Sequence, residues 1–296
     1  RAEIAHGLID RWQQKASVSQ ACRLLNVSRS GYYAAKTTTK RQKICVASVH
    51  LKAAFAQSQQ TFGSRQLRTE MHKKGIRIGR YKIRRLMREA RLVPVWKRKF
   101  VNTTDSTHTL PVADNLLNRQ FNPEHPNQAW AADITYIRTR AGWMYLAVVL
   151  ELFSRKVIGW AMSPTMPAAL VCRALKMAIA ARKPPAGLIM HSDRGSQYAS
   201  DEYQTLLKQH GMLCSMSRKG NCWDNAVMER FFLNLKTERV WRRDYANHLE
   251  AEKDITEYIV GFYNCVRLHS ARGNLLPTVY ERNMATKKPI LVSQKI

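Results

Sequence analysis

The sequence predicts an α/β protein, with a mixed five-stranded sheet flanked by helices, preceded by all-α helix-turn-helix units. Three observations predict it. From residue 128 onward, β-rich runs and helical periodicities follow in the order strand, strand, strand, helix, strand, helix, strand, helix. Residues 1–96 carry helical spacing only. The charge is also uneven: the chain has 296 residues and a net charge of +28, and the first hundred residues, with 24 Lys and Arg against 4 Asp and Glu, carry +20 of it. Such a field attracts a polyanion, and release of counterions condensed on nucleic acid supplies affinity.

In order, residues 1–38 read as a helix-turn-helix unit. Ile4, Leu8, Ile9 and Trp12 fall at helical spacing, Ser17 can cap a second helix bearing Ala21, Cys22, Leu24 and Leu25, and Asn26-Val27-Ser28 reads as a turn. A third helix from Arg29 would then lie in a major groove, which makes Arg29 a candidate DNA contact. Residues 39–96 read as a second helical DNA-binding unit. Its last helix places Ile83, Leu86, Met87 and Ala90 at i, i+3, i+4, i+7, with Lys82, Arg84, Arg85 and Arg88 on other positions. An apolar stripe to pack and a cationic face to meet phosphates is what a groove-facing helix requires. Residues 97–126, with Pro111, Pro123 and Pro126, read as a linker.

Residues 127–240 hold the sheet. Runs at 130–138, 143–152 and 156–163, separated by short turns, fit an antiparallel meander. A helix over 167–182 ends before Pro184-Pro185, a short buried strand leads to Asp193, a helix covers 201–210, and a fifth strand covers 212–216. A basic segment with Arg218 and Lys219, expected as a mobile loop beside DNA, precedes the helix bearing Glu229. Residues 241–296 read as a helical extension and tail. This element order is that of the ribonuclease-H-like fold.

Six cysteines lack any C-x-x-C pair, so neither a disulfide framework nor a zinc ribbon is indicated, and His210, Cys214 and Cys222 make only a weak zinc candidate. No apolar run reaches the ~18–20 residues of a membrane span. A cytoplasmic, nucleoid-associated protein without a membrane partner is the expectation.

Asp133 sits in the middle of an apolar strand, where a charge is costly unless paired or metal-bound. Asp193 ends the fourth strand, and Glu229 lies in the last helix with Asn225 four residues before and Lys236 seven after on one face. Each acid has a plain structural role open to it: a hydrogen bond to a loop for Asp133, an Asx turn before Gly195 for Asp193, a surface position for Glu229. Together, on a basic chain, they fit two divalent ions in phosphodiester chemistry, since Mg²⁺ prefers oxygen ligands and a metal pair stabilises attacking and leaving oxygens.

Trp130-Ala131-Ala132-Asp133-Ile134-Thr135-Tyr136-Ile137, His191-Ser192-Asp193-Arg194-Gly195-Ser196-Gln197-Tyr198, Asp224-Asn225-Ala226 with Glu229-Arg230-Phe231-Phe232, and Tyr263-Asn264-Cys265-Val266-Arg267-Leu268-His269-Ser270 resemble the signature blocks of OrfB-type transposases of the IS-three family of bacterial insertion sequences. The 35 residues between Asp193 and Glu229 match that family's D-D-(35)-E spacing. The resemblance implies a DDE transposase with a retroviral-integrase-type core: Asp133, Asp193 and Glu229 holding two Mg²⁺ or Mn²⁺ ions, and water and then a DNA 3′-hydroxyl attacking in line. It also implies a DNA contact at Lys236, terminal inverted repeats and target DNA as partners, and a homodimer or higher multimer on DNA. Glu151 stands where many relatives have Asp, and Arg272 and Asn274 flank Gly273 in place of the usual Leu and aromatic. Two other readings compete: a ribonuclease-H-type nuclease without strand transfer, and a non-catalytic DNA-binding regulator.

Overall fold

The computed structural model describes residues 2–12, 16–37, 45–95, 111–218 and 221–285. The chain divides into two compact units, Arg1–Val49 and His50–Ile296.

The first unit contains α1 (Ala2–Trp12), α2 (Val18–Leu24) and α3 (Arg29–Thr37). Ser17 caps α2 through a capping box with Gln20, and Asn26 makes the turn with φ 51°. Ile9, Ala21, Cys22 and Tyr32 form the core. The four apolar positions of α1 do not all pack, however: Ile4, Leu8 and Trp12 are exposed and Ile9 alone of them is buried. A helix this short buries one narrow line of residues, and spacing does not say which.

α4 (Val46–Gln57) leads into the second unit, followed by α5 (Ser64–Lys73) and α6 (Arg80–Glu89). On α6 the expected stripe is buried at Ile83, Leu86 and Met87, while Lys82, Arg84, Arg85 and Arg88 are exposed. Gln66 Nε2 donates to the Leu268 carbonyl at 3.4 Å and an Arg242 guanidinium N–H to the Gln59 carbonyl at 3.1 Å, so these helices lie against the sheet domain.

The sheet has strands β1 (Ala129–Thr139), β2 (Gly142–Glu151), β3 (Val157–Ser163), β4 (Ile189–Ser192) and β5 (Leu213–Met216), in the order β3-β2-β1-β4-β5. β1–β2 and β2–β3 are antiparallel, β1–β4 and β4–β5 parallel. This is the mixed five-stranded sheet that the element order predicts. β1 is central, and its alternating side chains serve two cores. Trp130 and Ala132 face α7 (Ala168–Arg182) and α9 (Asp201–Gln209), joined by the short α8 (Ser196–Ala199), which helical periodicity misses at four residues. Ala129, Ala131 and Ile137 face α10 (Ala226–Glu238) and α11 (His248–Glu257), which continues as a π-helical stretch over Tyr258–Tyr263 before α12 (Pro277–Ala285).

One apolar cluster holds Leu146 and Val148 of β2, Phe231 and Leu235 of α10, and Ile255, Tyr258 and Phe262 beyond residue 240. The C-terminal segment therefore completes a layer of the sheet. The described part of the expected linker, 111–126, also lies against the core, with Leu117 buried and its N–H donating to Ser215 Oγ at 3.1 Å.

Candidate active site

Two acids are brought together by strand register. β4 pairs with β1 in parallel up to Ala131↔His191, and continuing that register two residues sets Asp133 beside Asp193. Both lie where β4 ends and β1 runs on, with Asp133 still paired to Val148 of β2. Local hydrogen bonds fix one oxygen of each: Ile134 N–H donates to Asp133 Oδ1 at 2.7 Å, and Gly195 N–H to Asp193 Oδ1 at 2.9 Å. Asp193 thus forms the Asx turn that its position before Gly195 allows.

The third acid comes from α10, which packs Met228, Phe231 and Leu235 into the core and leaves Glu229 on its exposed side. Burial holds the Asp133 carboxyl well above the usual carboxylate range, the negative charge of Asp193 raises it further, and that of Glu229 adds to this. Glu229 is itself raised by partial desolvation alone. The asymmetry has a physical cause: the carboxyl with the higher pKa takes the proton first, and its partner then titrates beside a neutral group.

Three carboxyls with mutual repulsion and an all-oxygen donor set fit a hard divalent cation. As the side chains stand, no three His, Cys, Asp or Glu among the described residues form a closed metal cage. Beside Glu229, Asn225 is buried and neither amide atom has a hydrogen-bond partner, a cost that native interiors rarely carry without a ligand.

The expected basic residues are distributed differently. Lys236 is 5 % exposed, its ammonium 4.4 Å from the centre of the Tyr136 ring, and its charge favours the ionised form of Asp133. It sits within the protein, close enough to Asp133 for their charges to interact. Arg218 is engaged with Asp224: its Nε and a terminal N–H donate to the two carboxylate oxygens, both at 2.9 Å. Lys219 lies outside the described residues. Arg29 belongs to the first unit, above the Tyr33 ring at 5.9 Å. Arg85 pairs with Glu89 at 3.5 Å on the exposed face of α6.

A second layer of residues supports the acids, and although His191 and Asp224 stand in the sequence blocks quoted above, those blocks give them no role. Asp224 is 0 % exposed and is held by Arg119 and Arg218, which are 45 % and 49 % exposed, and by Asn115, whose Nδ2 donates to its Oδ2 at 2.9 Å. These guanidiniums hold its carboxyl well below the usual range. Its backbone carbonyl accepts from His191 Nε2 at 3.0 Å, and His191 Nδ1 meets Ser215 Oγ at 2.9 Å. Because a carbonyl only accepts, the imidazole is the Nε2–H tautomer, and burial pushes its pKa down to about 4, so it is neutral. This network ties β4, β5 and the turn before α10 together and thereby sets where Glu229 stands. Glu151, fully buried, accepts from Trp130 Nε1 at 2.8 Å, Asn127 N–H at 2.9 Å and Phe153 N–H at 3.1 Å, which makes it a strut of β2. A polar residue inside an apolar run is the signal for His191 and Glu151; Asp224 is marked only by its place in the block before Glu229, and its partners are set by the fold.

Residues 123–222 match the Integrase core domain family, 210–277 match a second Integrase core domain family, and 46–100 match the HTH-like domain. The chain is 44% identical over 262 residues to the Insertion element IS600 uncharacterized 31 kDa protein of Shigella sonnei, covering 88% of this chain and 96% of that protein. It is 41% identical over 283 residues to Transposase InsF for insertion sequence IS3A of Escherichia coli (strain K12), covering 94% and 98%. Among solved structures, the HTLV-2 integrase catalytic core domain in complex with magnesium aligns at TM-score 0.42 and 18% identity, over 53% of this chain and 98% of that one. Matched in sequence over nearly its whole length and built on an integrase core, this chain belongs to the IS3-family transposases, DDE enzymes that cut and join DNA.

Proposed function

We propose that Asp133, Asp193 and Glu229 are the catalytic acids and hold two divalent ions, Mg²⁺ or Mn²⁺. The observation that carries this is the continued β1–β4 register, which sets Asp133 beside Asp193, together with the charge of Glu229 acting on the same carboxyl. When bound, such ions stabilise the attacking and leaving oxygens of an in-line displacement at phosphorus. The chain's own residues do the rest. Ile134 N–H and Gly195 N–H fix one carboxylate oxygen each and so orient the other. Lys236 offsets part of the burial and like-charge repulsion that raise the Asp133 carboxyl. Glu229, on the exposed side of α10, faces arriving DNA. In the cutting step water forms the new P–O bond and a 3′-oxygen leaves; in the joining step a DNA 3′-hydroxyl attacks and a target 3′-oxygen leaves.

Residues 1–38 and 39–96 serve as DNA-binding units for the terminal inverted repeats, with Arg29 in the first and Lys82, Arg84, Arg85 and Arg88 in the second presenting cations to phosphates. Residues 127–240 are the catalytic core, 97–126 the connection to it and 241–296 its extension. Arg218 and Lys219 border the DNA path, and at least two protomers pair the ends.

Glu229→Gln tests the acids. It keeps size and helix propensity and removes the charge. We expect joining of a labelled 3′-hydroxyl end to plasmid DNA to fall on the order of 10³-fold, since metal charge stabilisation is worth several kcal/mol and each ~1.4 kcal/mol is tenfold. Binding of the same DNA in EDTA stays unchanged. Transfer at the unmodified rate removes Glu229 from the centre, and cleavage without joining by the unmodified chain favours the nuclease reading.

A further inference from the structure

The arginines of α5, α6 and α10 that the catalytic centre does not use meet in one place. A cavity of about 1020 Å³ lies between α5–α6 on one side and α10 with residues 267–274 on the other. Arg65, Arg80, Arg84, Arg155, Arg230 and Arg267 line it, and no acid does among the described residues. A second cavity of about 640 Å³, with Arg68, His72 and Lys73, shares Arg65, Arg80 and Asn274 with the first. The two therefore form one continuous trough.

Charge of one sign facing itself across a gap is unfavourable in an isolated chain. Arg267 is offset by Glu238 at 2.8 Å, whereas among the described residues no carboxylate pairs with Arg65, Arg80, Arg84 or Arg230. The floor points the same way. His269 is 9 % exposed and lines the cavity, and its Nε2 is buried without a hydrogen-bond partner. Its imidazole is held neutral, its pKa pushed down to about 3 by burial and by Arg267, Arg155 and Arg272. An orphaned polar atom among cations is the place for an anion.

The trough also has a direction and a length. Ala226, Val227, Arg230 and Asn234 line it from one face of α10, while Glu229 is on another. Residues 226 to 234 span ~12 Å at the helical rise of ~1.5 Å per residue. At ~3.4 Å per nucleotide along one strand, that length takes three or four phosphates. A lone phosphate or a nucleotide would leave most of the arginines without a partner.

We propose that this trough binds the phosphodiester backbone of DNA, and that a single stretch of backbone bridges the HTH-like unit to the helix bearing Glu229. The inference rests on the DNA-transposase reading and adds a site to it. Arg65 and Arg80 hold phosphates from the HTH-like side and Arg230 from the catalytic side, so DNA joins two surfaces that repel each other without it. Engagement of the recognition unit is thereby linked to the position of α10.

The test uses the full-length chain, a labelled 40-base-pair duplex of mixed sequence, and EDTA to suppress chemistry. Every phosphate that the protein no longer neutralises makes the slope of log K against log salt shallower by ~0.9. Arg65→Gln with Arg230→Gln is expected to flatten it by about two, and Lys208→Gln on α9 to leave it unchanged. A second measurement needs no variant: the unmodified chain is treated with an arginine-selective glyoxal, with and without duplex, and modified residues are read by mass spectrometry. Duplex is expected to shield Arg65, Arg80 and Arg230, while poly-glutamate does not. An unchanged slope, or modification of these arginines at the same rate with duplex present, overturns the proposal. So does shielding by poly-glutamate alone, which would assign the trough to an acidic protein segment. Glu229→Gln keeps the full slope, so loss of the catalytic acids and loss of the trough give different results.

Discussion

Asp133 illustrates how a site residue works against the fold that carries it. Its folded pKa lies above the ~3.9 of an unfolded aspartate, so the folded chain binds the extra proton between those two values. Stability is therefore unaffected below the unfolded pKa and declines as pH rises through the folded one. Asp133→Asn removes that cost. We expect a higher Tm than the unmodified chain at pH 7–8 in EDTA, a difference that closes near pH 4, and no strand transfer; scanning calorimetry across that pH range checks it, and an equal or lower Tm at pH 8 contradicts it. Asp224 has the opposite sign. Its folded pKa is depressed by Arg218 and Arg119, so its contribution is full above the ordinary carboxylate range and is lost on acidification through the folded value. His191 adds to acid sensitivity, since the folded imidazole stays neutral down to about 4 while the unfolded one binds a proton from ~6.5, so stability falls as pH drops between those values.

At the scale of elements, two contacts hold the active-site layer in register. The first is the close approach of β3 and α7. A Cβ placed on Gly159 would stand 2.2 Å from the Ala174 carbonyl oxygen and 2.9 Å from Ala178 Cβ, so only glycine lets the helix lie this near the strand. Gly159→Ala must push α7 off the sheet. We expect a loss of roughly 1–3 kcal/mol or more, seen as a lower urea midpoint or as insoluble protein. The second is the Asp224 clamp at the turn before α10. Asp224→Asn leaves Arg218 and Arg119 without a charged partner and loosens the turn that sets Glu229. The expected outcome is a Tm lower by several degrees at pH 7 and a reduced strand-transfer rate, with the Tm difference shrinking on acidification. Elements themselves were largely legible: the boundaries of β1 to β3 and α7 follow directly from alternation, helical spacing and the Pro184-Pro185 stop. What spacing could not show was which face of α1 packs, nor that α8 exists.

At the scale of the whole molecule, the +28 charge sets the conditions under which this transposase engages DNA. Its affinity should fall steeply and linearly on a log–log plot as salt rises, which a titration of labelled duplex measures. Local pattern was enough to specify the order of elements and the mixed sheet and to put forward three acids, because periodicity is a local property and a carboxylate inside an apolar run is conspicuous against its neighbours. How the cations are used emerged only from the folded chain. Lys236 and Arg218 look like surface bases in the sequence, yet one lies buried over Tyr136 and the other is clamped on Asp224. The trough joins Arg65 to Arg230 across the fold, and the C-terminal helices supply one face of the core. The reason is that the partner of a charge and the neighbour of a face are set by packing between segments far apart in the chain, and no local pattern encodes which distant residue arrives there.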